Sequence, residues 1–264
     1  MKSGYRLPAT AYRWRIGLLV LLMLGWWFVG DGAVDLAHRL QGPSAAHLFG
    51  TDEVGRDLLA RCWLGGARSL TLGIALTALH LVAGVALALA AGTALPARRV
   101  VLGLADLVAS VPATLLALLL LAFLRPGYGA LVAALAIGGW IVYARLALVQ
   151  LDALRGDPSL LQARLAGAGP WHRLRGHLLP RMAPVLLAQA SAGVGAVALV
   201  EGGLSFLGVG LPPDQASWGQ MLATARAYFL VSPWPLLWPC LGLFALLLAT
   251  GPNLRPRRGI PERG

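Results

Sequence analysis

Long apolar runs separated by short polar or Pro- and Gly-rich breaks organise the chain. A helix needs about 20 apolar residues to cross the roughly 30 Å hydrocarbon core of a bilayer, and the runs approach or exceed that length. The first, Ile16 to Gly30, follows Arg13 and Arg15 and carries Trp26 and Trp27 near its far end, where an aromatic belt would sit. With Trp14 and a snorkelling Arg15 included it is long enough to span. A basic start before a short apolar core is also the pattern of a signal peptide, but no A-x-A cleavage site follows it. Ser69 to Gly92 and Val100 to Leu124 are separated by Pro96, Arg98 and Arg99, which predicts a helical hairpin with a tight inside turn. Arg125-Pro-Gly-Tyr128 predicts an outside turn, and Gly129 to Leu151 returns inward. The stretch from Asp152 to Arg181 is too polar to span. Met182 to Val200 is free of charge and leads into Glu201 and a Gly-rich stretch; Pro212, Pro213 and Asp214 open an outer loop, and Trp234 to Gly251 is the last run. No strand alternation of the kind a barrel needs is present. The pattern predicts an all-α polytopic membrane protein with six transmembrane helices. Its segments are an anchor helix and outer segment over 1–68, a membrane core over 69–251 with an inner loop at 152–181, and a tail over 252–264.

Composition agrees: of 264 residues, 58% are hydrophobic and only 12% charged, with mean hydropathy +0.70, far from the soluble average of about 25% charged. The net charge of +11 raises nucleic acid as a partner, but sidedness accounts for it. With the N-terminus inside, Lys2, Arg6, Arg13, Arg15, Arg98, Arg99, Arg145, Arg155, Arg164, Arg173, Arg175, Arg181, Arg255, Arg257, Arg258 and Arg263 face the cytoplasm, 16 of 22 basic residues. Arg39, Arg56, Arg61, Arg68, Arg125 and Arg226 stay outside, and the opposite orientation would invert the ratio, against the positive-inside rule.

The inner loop has readable local physics. Asp157 can cap a helix, Pro158 suits its first position and Gly167, at a position expected to need positive φ, can end it. Pro170 favours a fresh start, and Trp171 to Leu179 can form a second short helix before Leu179-Pro180 leads into the fifth span. Taken alone, two short helices also describe a plain structured connector.

Little catalytic chemistry is visible. The only lysine is Lys2, so the chain cannot hold a P-loop, whose Lys must follow a Gly-rich turn. No G-x-S-x-G, H-E-x-x-H or paired-carboxylate pattern occurs. Cys62 and Cys240 lie far apart without a CxxC pair. No metal site is expected: His38 and His47 fall outside, His172 and His177 inside, and the i, i+5 spacing of the latter pair does not place them on one face of an α-helix. Glu201 and Asp106 are acidic groups on apolar spans, expensive unless paired or wetted. They either line a path or hold a fixed hydrogen-bonded structure. Gly202, Gly203, Gly208 and Gly210 permit close helix approach or a helix break.

Several motifs together carry a family resemblance. Gly50-Thr-Asp-Glu-Val-Gly-Arg-Asp57 (Gly50, Thr51, Asp52, Gly55, Arg56, Asp57) matches a GTDxxGRD signature, within which Asp52, Arg56 and Asp57 can pair with one another. Glu201-Gly-Gly-Leu-Ser-Phe-Leu-Gly208 (with Ser205, Phe206 and Leu207) and Ser217-Trp-Gly-Gln-Met221 (with Trp218 and Gly219) match ExxLSFLG and SWGxML elements. Leu161-Gln162-Ala163, Gly167 and Leu179-Pro180 fall at the spacing of an EAA loop, with the usual Glu replaced by Leu161 and the first Ala by Gln162. Asp106 with Pro112, and Trp140 with Tyr143-Ala-Arg145, fall where similar residues occur. The chain resembles permease subunits of ABC importers of the dipeptide, oligopeptide and nickel family. The resemblance implies a type I ABC importer permease-like fold in the bacterial inner membrane. It also implies a coupling helix at Asp157, Pro158, Leu161, Gln162, Ala163, Gly167, Leu179 and Pro180 that docks on an ATPase. The implied partners are a second homologous permease, two ABC ATPase subunits that bind ATP and Mg, a periplasmic or lipid-anchored substrate-binding protein, and membrane lipid, with no cofactor and no nucleic acid on this chain. The implied cargo is nickel or a metal chelate, or di- and oligopeptides; Arg164-Leu-Ala-Gly-Ala-Gly169 and the missing Glu lie closer to the metal-carrying members. The alternative in another class is an ion-coupled secondary transporter, which often shows inverted repeats; none is detectable in the sequence.

Overall fold

In lipid every backbone polar group must find a partner inside the protein, and the chain meets this with helices. The computed structural model describes residues 10–25, 32–92, 95–124, 127–211 and 215–251. The expectations for Trp26 and Trp27, Arg125, Pro212 to Asp214 and the basic tail lie outside the described residues. Ten helices follow in order among those described: α1 (Thr10–Met23), α2 (Leu58–Ala91), α3 (Leu95–Ala109), α4 (Ala113–Phe123), α5 (Tyr128–Leu154), α6 (Pro158–Leu165), α7 (Pro170–Arg173), α8 (Leu179–Phe206), α9 (Trp218–Ala225) and α10 (Trp234–Thr250). The described residues hold no strand, only a single bridge between Thr51 and Asp57. Three helical segments, Leu58–Ala91, Tyr128–Leu154 and Pro170–Phe206, are long and apolar enough to cross a membrane. The pair α3 and α4 makes a fourth span if its two halves count as one, while α1 and α10 are shorter apolar helices.

Three boundaries differ from those the pattern predicts. Helix α2 starts at Leu58 rather than Ser69. Its charged first turns are buried against the rest of the protein, where Arg68 donates to the Ala216 carbonyl (3.1 Å), so polarity there does not mean a loop. The predicted single span Val100 to Leu124 is broken: α3 and α4 meet at 78° across Ser110, Val111 and Pro112, because a proline disfavours helical geometry in the residue before it. Pro96, Arg98 and Arg99, expected in a turn, sit in the first turns of α3. Finally, Leu179-Pro180 does not separate two helices. A π-helical turn at Leu174–Leu178 joins α7 to α8, giving one helix over Pro170–Phe206. The wider turn absorbs the missing N–H of Pro180, which leaves the Gly176 carbonyl without its usual donor.

Helix α2 is the axis of the bundle, packing most extensively on α5 and then on α8. Three apolar clusters line up along it. Leu58, Cys62 and Leu70 meet Trp218, Met221 and Leu246; Leu72 and Leu76 meet α4, α5 and Leu204; Ala88 and Ala91 meet Ala147, Leu148 and Met182. The crossings are close enough to need glycine. A Cβ on Gly84 would lie 2.6 Å from the Trp140 carbonyl oxygen and 2.8 Å from the Ala144 nitrogen, both backbone of α5, and one on Gly73 would lie 2.7 Å from the Val194 carbonyl oxygen of α8. At the predicted inner end, Arg98 grips Asp152 with two bonds (2.8 and 2.6 Å), and Arg15 donates to Gly251 (2.9 Å), so the start of α1 adjoins the end of α10.

Gly84→Ala is expected to lower the melting temperature of the detergent-solubilised chain, since only movement of α5 backbone relieves the clash. Gly103→Ala, also inside a helix but with nothing within 4 Å, should instead be neutral or raise stability by up to about 1 kcal/mol through helix propensity. Equal melting temperatures for the two variants would show that the α2–α5 crossing is loose.

Candidate functional site: an inner docking loop and a cavity at a broken helix

The Gly50–Asp57 signature is a compact knot. Gly50 and Gly55 both adopt positive φ (83° and 80°), and a Cβ on Gly55 would collide with the Asp35 carbonyl. Thr51 Oγ1 donates to the His38 carbonyl (2.5 Å) and accepts from Gln41 N–H (2.9 Å). Asp52 is buried; its Oδ1 accepts from the N–H groups of Val54 (3.0 Å) and Arg56 (2.8 Å), while its Oδ2 meets the Nε atoms of Arg56 (2.7 Å) and Arg61 (3.4 Å). Asp57 pairs not with Arg56 but with His47 (2.9 Å), and caps α2 by accepting from Ala60 N–H (2.9 Å). The expected Asp52–Arg56 pair forms, with Arg61 as a second partner of Asp52, while Asp57 pairs with His47 rather than with Arg56.

Glu201 is brought together with the Ser217–Met221 motif and with α2. Only 1% exposed, its carboxylate accepts from Ser69 Oγ of α2 (3.0 Å) and Ser205 Oγ one turn on (2.9 Å), and from Ser217 at the start of α9. Ser217 also caps α9 through Gln220 N–H (3.1 Å). Trp218 is buried and donates to the Cys62 carbonyl (2.8 Å), and Gly219 lets α9 lie against Gly202 of α8. Leu207 and Gly208 close α8: Gly208 has φ 84°, with Gly208 N–H to Ser205 (3.0 Å) and Val209 N–H to Leu204 (3.1 Å), the two bonds of a Schellman stop. Phe206 sits under the Arg226 guanidinium, 5.5 Å from its ring centre.

The inner loop forms as the sequence predicts at its first helix. Asp157 accepts from Ser159 N–H (2.9 Å) and Leu160 N–H (3.4 Å), Pro158 holds the first position, and Gly167 (φ 76°) ends the helix through Gly167 N–H to Arg164 (3.1 Å) and Ala168 N–H to Ala163 (2.9 Å). Asp157 also pairs with Arg181 of α8. The Arg181 guanidinium, with the Ser159 hydroxyl, holds the Asp157 carboxyl well below the usual carboxylate range. A group lowered in this way is charged at every pH above about 4; its contribution is complete there and is lost only as pH falls through the depressed value. Ser159, Gln162, Ala163, Gly167 and both histidines border an open groove of about 660 Å³. On the outside of the loop Leu161, Leu165 and Trp171 are 56%, 81% and 70% exposed. The π-helical turn corrects one expectation: it swings His177 back over His172, their ring centres 6.2 Å apart, so i, i+5 spacing does put them side by side. Among the described residues no three potential metal-binding side chains cluster.

Asp106 and Arg145 pair across α3 and α5 (2.5 Å). Arg145, placed by the sequence on the cytoplasmic face, sits nine residues before the end of α5, about 14 Å along it. It borders a cavity of about 470 Å³ between α2, the α3–α4 break, α5 and α8. Glu201 does not line this cavity. Thr77, His80, Tyr143 and Gln189 do, and the sequence reading singled out none of them for it. His80 was visible as an ionisable residue inside an apolar span, a recognised sign of function; the others become neighbours only through helix packing.

Glu201→Leu is expected to lower stability by roughly 2 kcal/mol or more, because it orphans the buried hydroxyls that now donate to it. Glu201→Gln, which keeps one acceptor oxygen, should lose less, as read from thermal unfolding in detergent. Equal losses would show that the hydroxyls do not depend on the carboxylate.

Comparison with known proteins follows the same residues. The family described as "Binding-protein-dependent transport system inner membrane component" matches residues 80–253. The chain is 36% identical over 239 residues to the probable D,D-dipeptide transport system permease protein DdpC of Escherichia coli (strain K12), covering 90% of this chain and 80% of that one. It is 33% identical over 250 residues to the nickel transport system permease protein NikC of the same organism, covering 90% of each. It is 35% identical over 223 residues to the probable peptide ABC transporter permease protein y4tQ of Sinorhizobium fredii (strain NBRC 101917 / NGR234), covering 84% and 77%. The chain belongs to the family of inner-membrane permease components of binding-protein-dependent transport systems.

Proposed function

We propose that this chain forms half of the translocation path of an ATP-driven importer, beside a second homologous permease, and carries nickel, a metal chelate or short peptides inward. Two ABC ATPase subunits hold ATP and Mg, and a periplasmic or lipid-anchored binding protein delivers the cargo. The chain itself catalyses nothing and binds no cofactor. One observation carries the reading: a capped, Arg181-anchored helix on the inner loop presents Leu161, Leu165 and Trp171 to the surface. Apolar side chains so displayed on an otherwise polar loop mark a partner's seat, and Leu161 stands where the family resemblance expects a Glu. Asp157, Pro158, Gln162, Ala163 and Gly167 shape this seat, Arg181 ties it to α8, and Leu179 and Pro180 carry α7 into α8 without a break. Movement of a docked ATPase would thus reach the α2–α8 crossing directly. The names of its relatives cover both peptide and nickel cargo, and the family match does not favour an ion-coupled carrier.

For coupling, Gly167→Val strains a residue at φ 76° by about 1–2 kcal/mol, with no steric clash of its own. Docking of Leu161 removes apolar area from water at about 25 cal/mol per Å², so Leu161→Asp should damage the importer far more than Leu161→Met. Substrate-stimulated ATP hydrolysis and uptake by the reconstituted importer are the readouts, with assembly checked separately. Full activity in both Gly167→Val and Leu161→Asp would reduce the loop to a connector.

For topology, six spans with both ends cytoplasmic are proposed from the distribution of basic residues and the Arg15–Gly251 contact. Reporter fusions should read a cytoplasmic end after Arg263. An external C-terminus, or cleavage near Asp31, would overturn the arrangement.

A further inference from the structure

Helices α3 and α5 are tied together at two levels. Arg98 grips Asp152 near the end of both helices, and further along Asp106 meets Arg145 (2.5 Å). Arg98 to Asp106 along α3, and Asp152 back to Arg145 along α5, are distances of about 12 and 11 Å at the helical rise. The two pairs therefore hold α3 antiparallel against α5 over that length. Because α5 is long and apolar enough to cross a membrane, the Asp106–Arg145 pair lies well inside the span. Snorkelling relieves arginines near helix ends, not one at this depth.

The deeper pair is nevertheless not enclosed by the chain. The side chain of Arg145 is 46% exposed and that of Asp106 71%. Val142 and Val149, on the same face of α5 as Arg145, are also exposed, as are Gly103 and Ala109 beside Asp106 on α3. Among the described residues Asp106 is the ion-pair partner of Arg145, yet a guanidinium carries five N–H donors and a carboxylate two accepting oxygens. Most of that hydrogen-bonding capacity points away from the chain. Hydrocarbon could not satisfy it, and ionised side chains inside spans turn to a bundle interior or to a water-filled space. The cavity of about 470 Å³ adjoins this face, where Ala109, Val142, Arg145 and Gln189 border it. Helix α10 makes the contrast. It packs on α1, α2, α8 and α9, and its exposed stripe is Leu241, Phe244 and Leu248, with no charged residue anywhere in Trp234–Thr250.

We infer that the α3–α5 face carrying Asp106 and Arg145 is the wall of a water-filled passage, closed on its far side by the second permease, while the Leu241–Phe244–Leu248 face of α10 meets lipid. The inference rests on the permease reading and adds to it the side of this chain along which cargo moves. Water in the passage supplies partners for the guanidinium donors and carboxylate oxygen that the pair leaves open. A lipid tail or a dry apolar helix contact would supply none, and the cost of stranding such groups is why charges are rare on lipid-facing positions.

The test uses the complete importer in proteoliposomes and a membrane-impermeant methanethiosulfonate reagent bearing a trimethylammonium group, present on both sides. Single cysteines are introduced as Val142→Cys, Ala109→Cys and Phe244→Cys in a Cys240→Ala background that keeps the buried Cys62. Assembly is confirmed by co-purification. Without nucleotide or with ATP and vanadate, Val142→Cys and Ala109→Cys should react at least about tenfold faster than Phe244→Cys, because the attacking thiolate is disfavoured in apolar surroundings. Modification of Val142→Cys should also block most ATP-driven uptake of dialanine or nickel ion, by filling the passage. Modification of Phe244→Cys, driven to completion with excess reagent, should leave uptake unchanged. Reaction at the α3–α5 positions no faster than at Phe244→Cys in both nucleotide states, or full uptake after complete modification of Val142→Cys, would overturn the passage wall while leaving the permease reading intact. Either position decides alone if the other variant does not assemble. ATP-driven accumulation of neither probe by the wild-type complex would remove the permease reading and this inference together.

Discussion

The close approach of α2 to α5 and α8 is the constraint on which the rest of the structure depends. Lipid tails are as apolar as leucine, so helices in a bilayer gain little from hiding apolar side chains from their surroundings. What holds them is contact at short range and polar groups that have nowhere else to go. Gly84 and Gly73 bring α2 onto the backbones of two other helices, and Ser69 of α2 reaches Glu201 of α8 in the interior. With that axis fixed, the remaining helices take positions along it.

The two ends of the axis are locked by different chemistry. At one end, a 3₁₀ turn (Leu36–His38) and the loop leading into α2 are tied by Thr51 and Asp52, and Phe49 stacks on Trp238 with ring centres 3.9 Å apart. At the other end, Arg98–Asp152 joins α3 to α5 and Arg181–Asp157 joins the 152–181 loop to α8. Between these locks, the break between α3 and α4 exposes helix ends that an unbroken span would keep satisfied. The middle of the bundle is therefore where helix-end polarity is left open, and the ends are where polarity is spent on structure.

The inner loop connects these regions mechanically. Helix α6 is stopped by its own capping at both ends, and α7 passes through a π-helical turn into α8 without a flexible hinge. A push on α7 reaches the base of the α2–α8 crossing through a continuous helix, and one on α6 reaches it through the Asp157–Arg181 pair. Pro180, which in the sequence looks like a stop, is carried inside that helix.

The sequence by itself determined the class of the protein, the apolar runs, the capping of α6 by Asp157 and Pro158, and the stop at Gly167, because these follow from local chemistry and periodicity. Its motifs also identified the family. Only the tertiary structure decided that Glu201 faces three serines, that Asp57 pairs with His47, and that α2 begins at Leu58. Each of these depends on partners far away in sequence, such as Ser69 and Ser217, or on burial that turns a charged stretch into helix. The break at Pro112 was legible in principle, since a proline always restrains the residue before it. The cavity beside it was not: Thr77, Tyr143 and Gln189 lie on three helices, and no spacing along one chain reports which faces three packed helices turn toward each other.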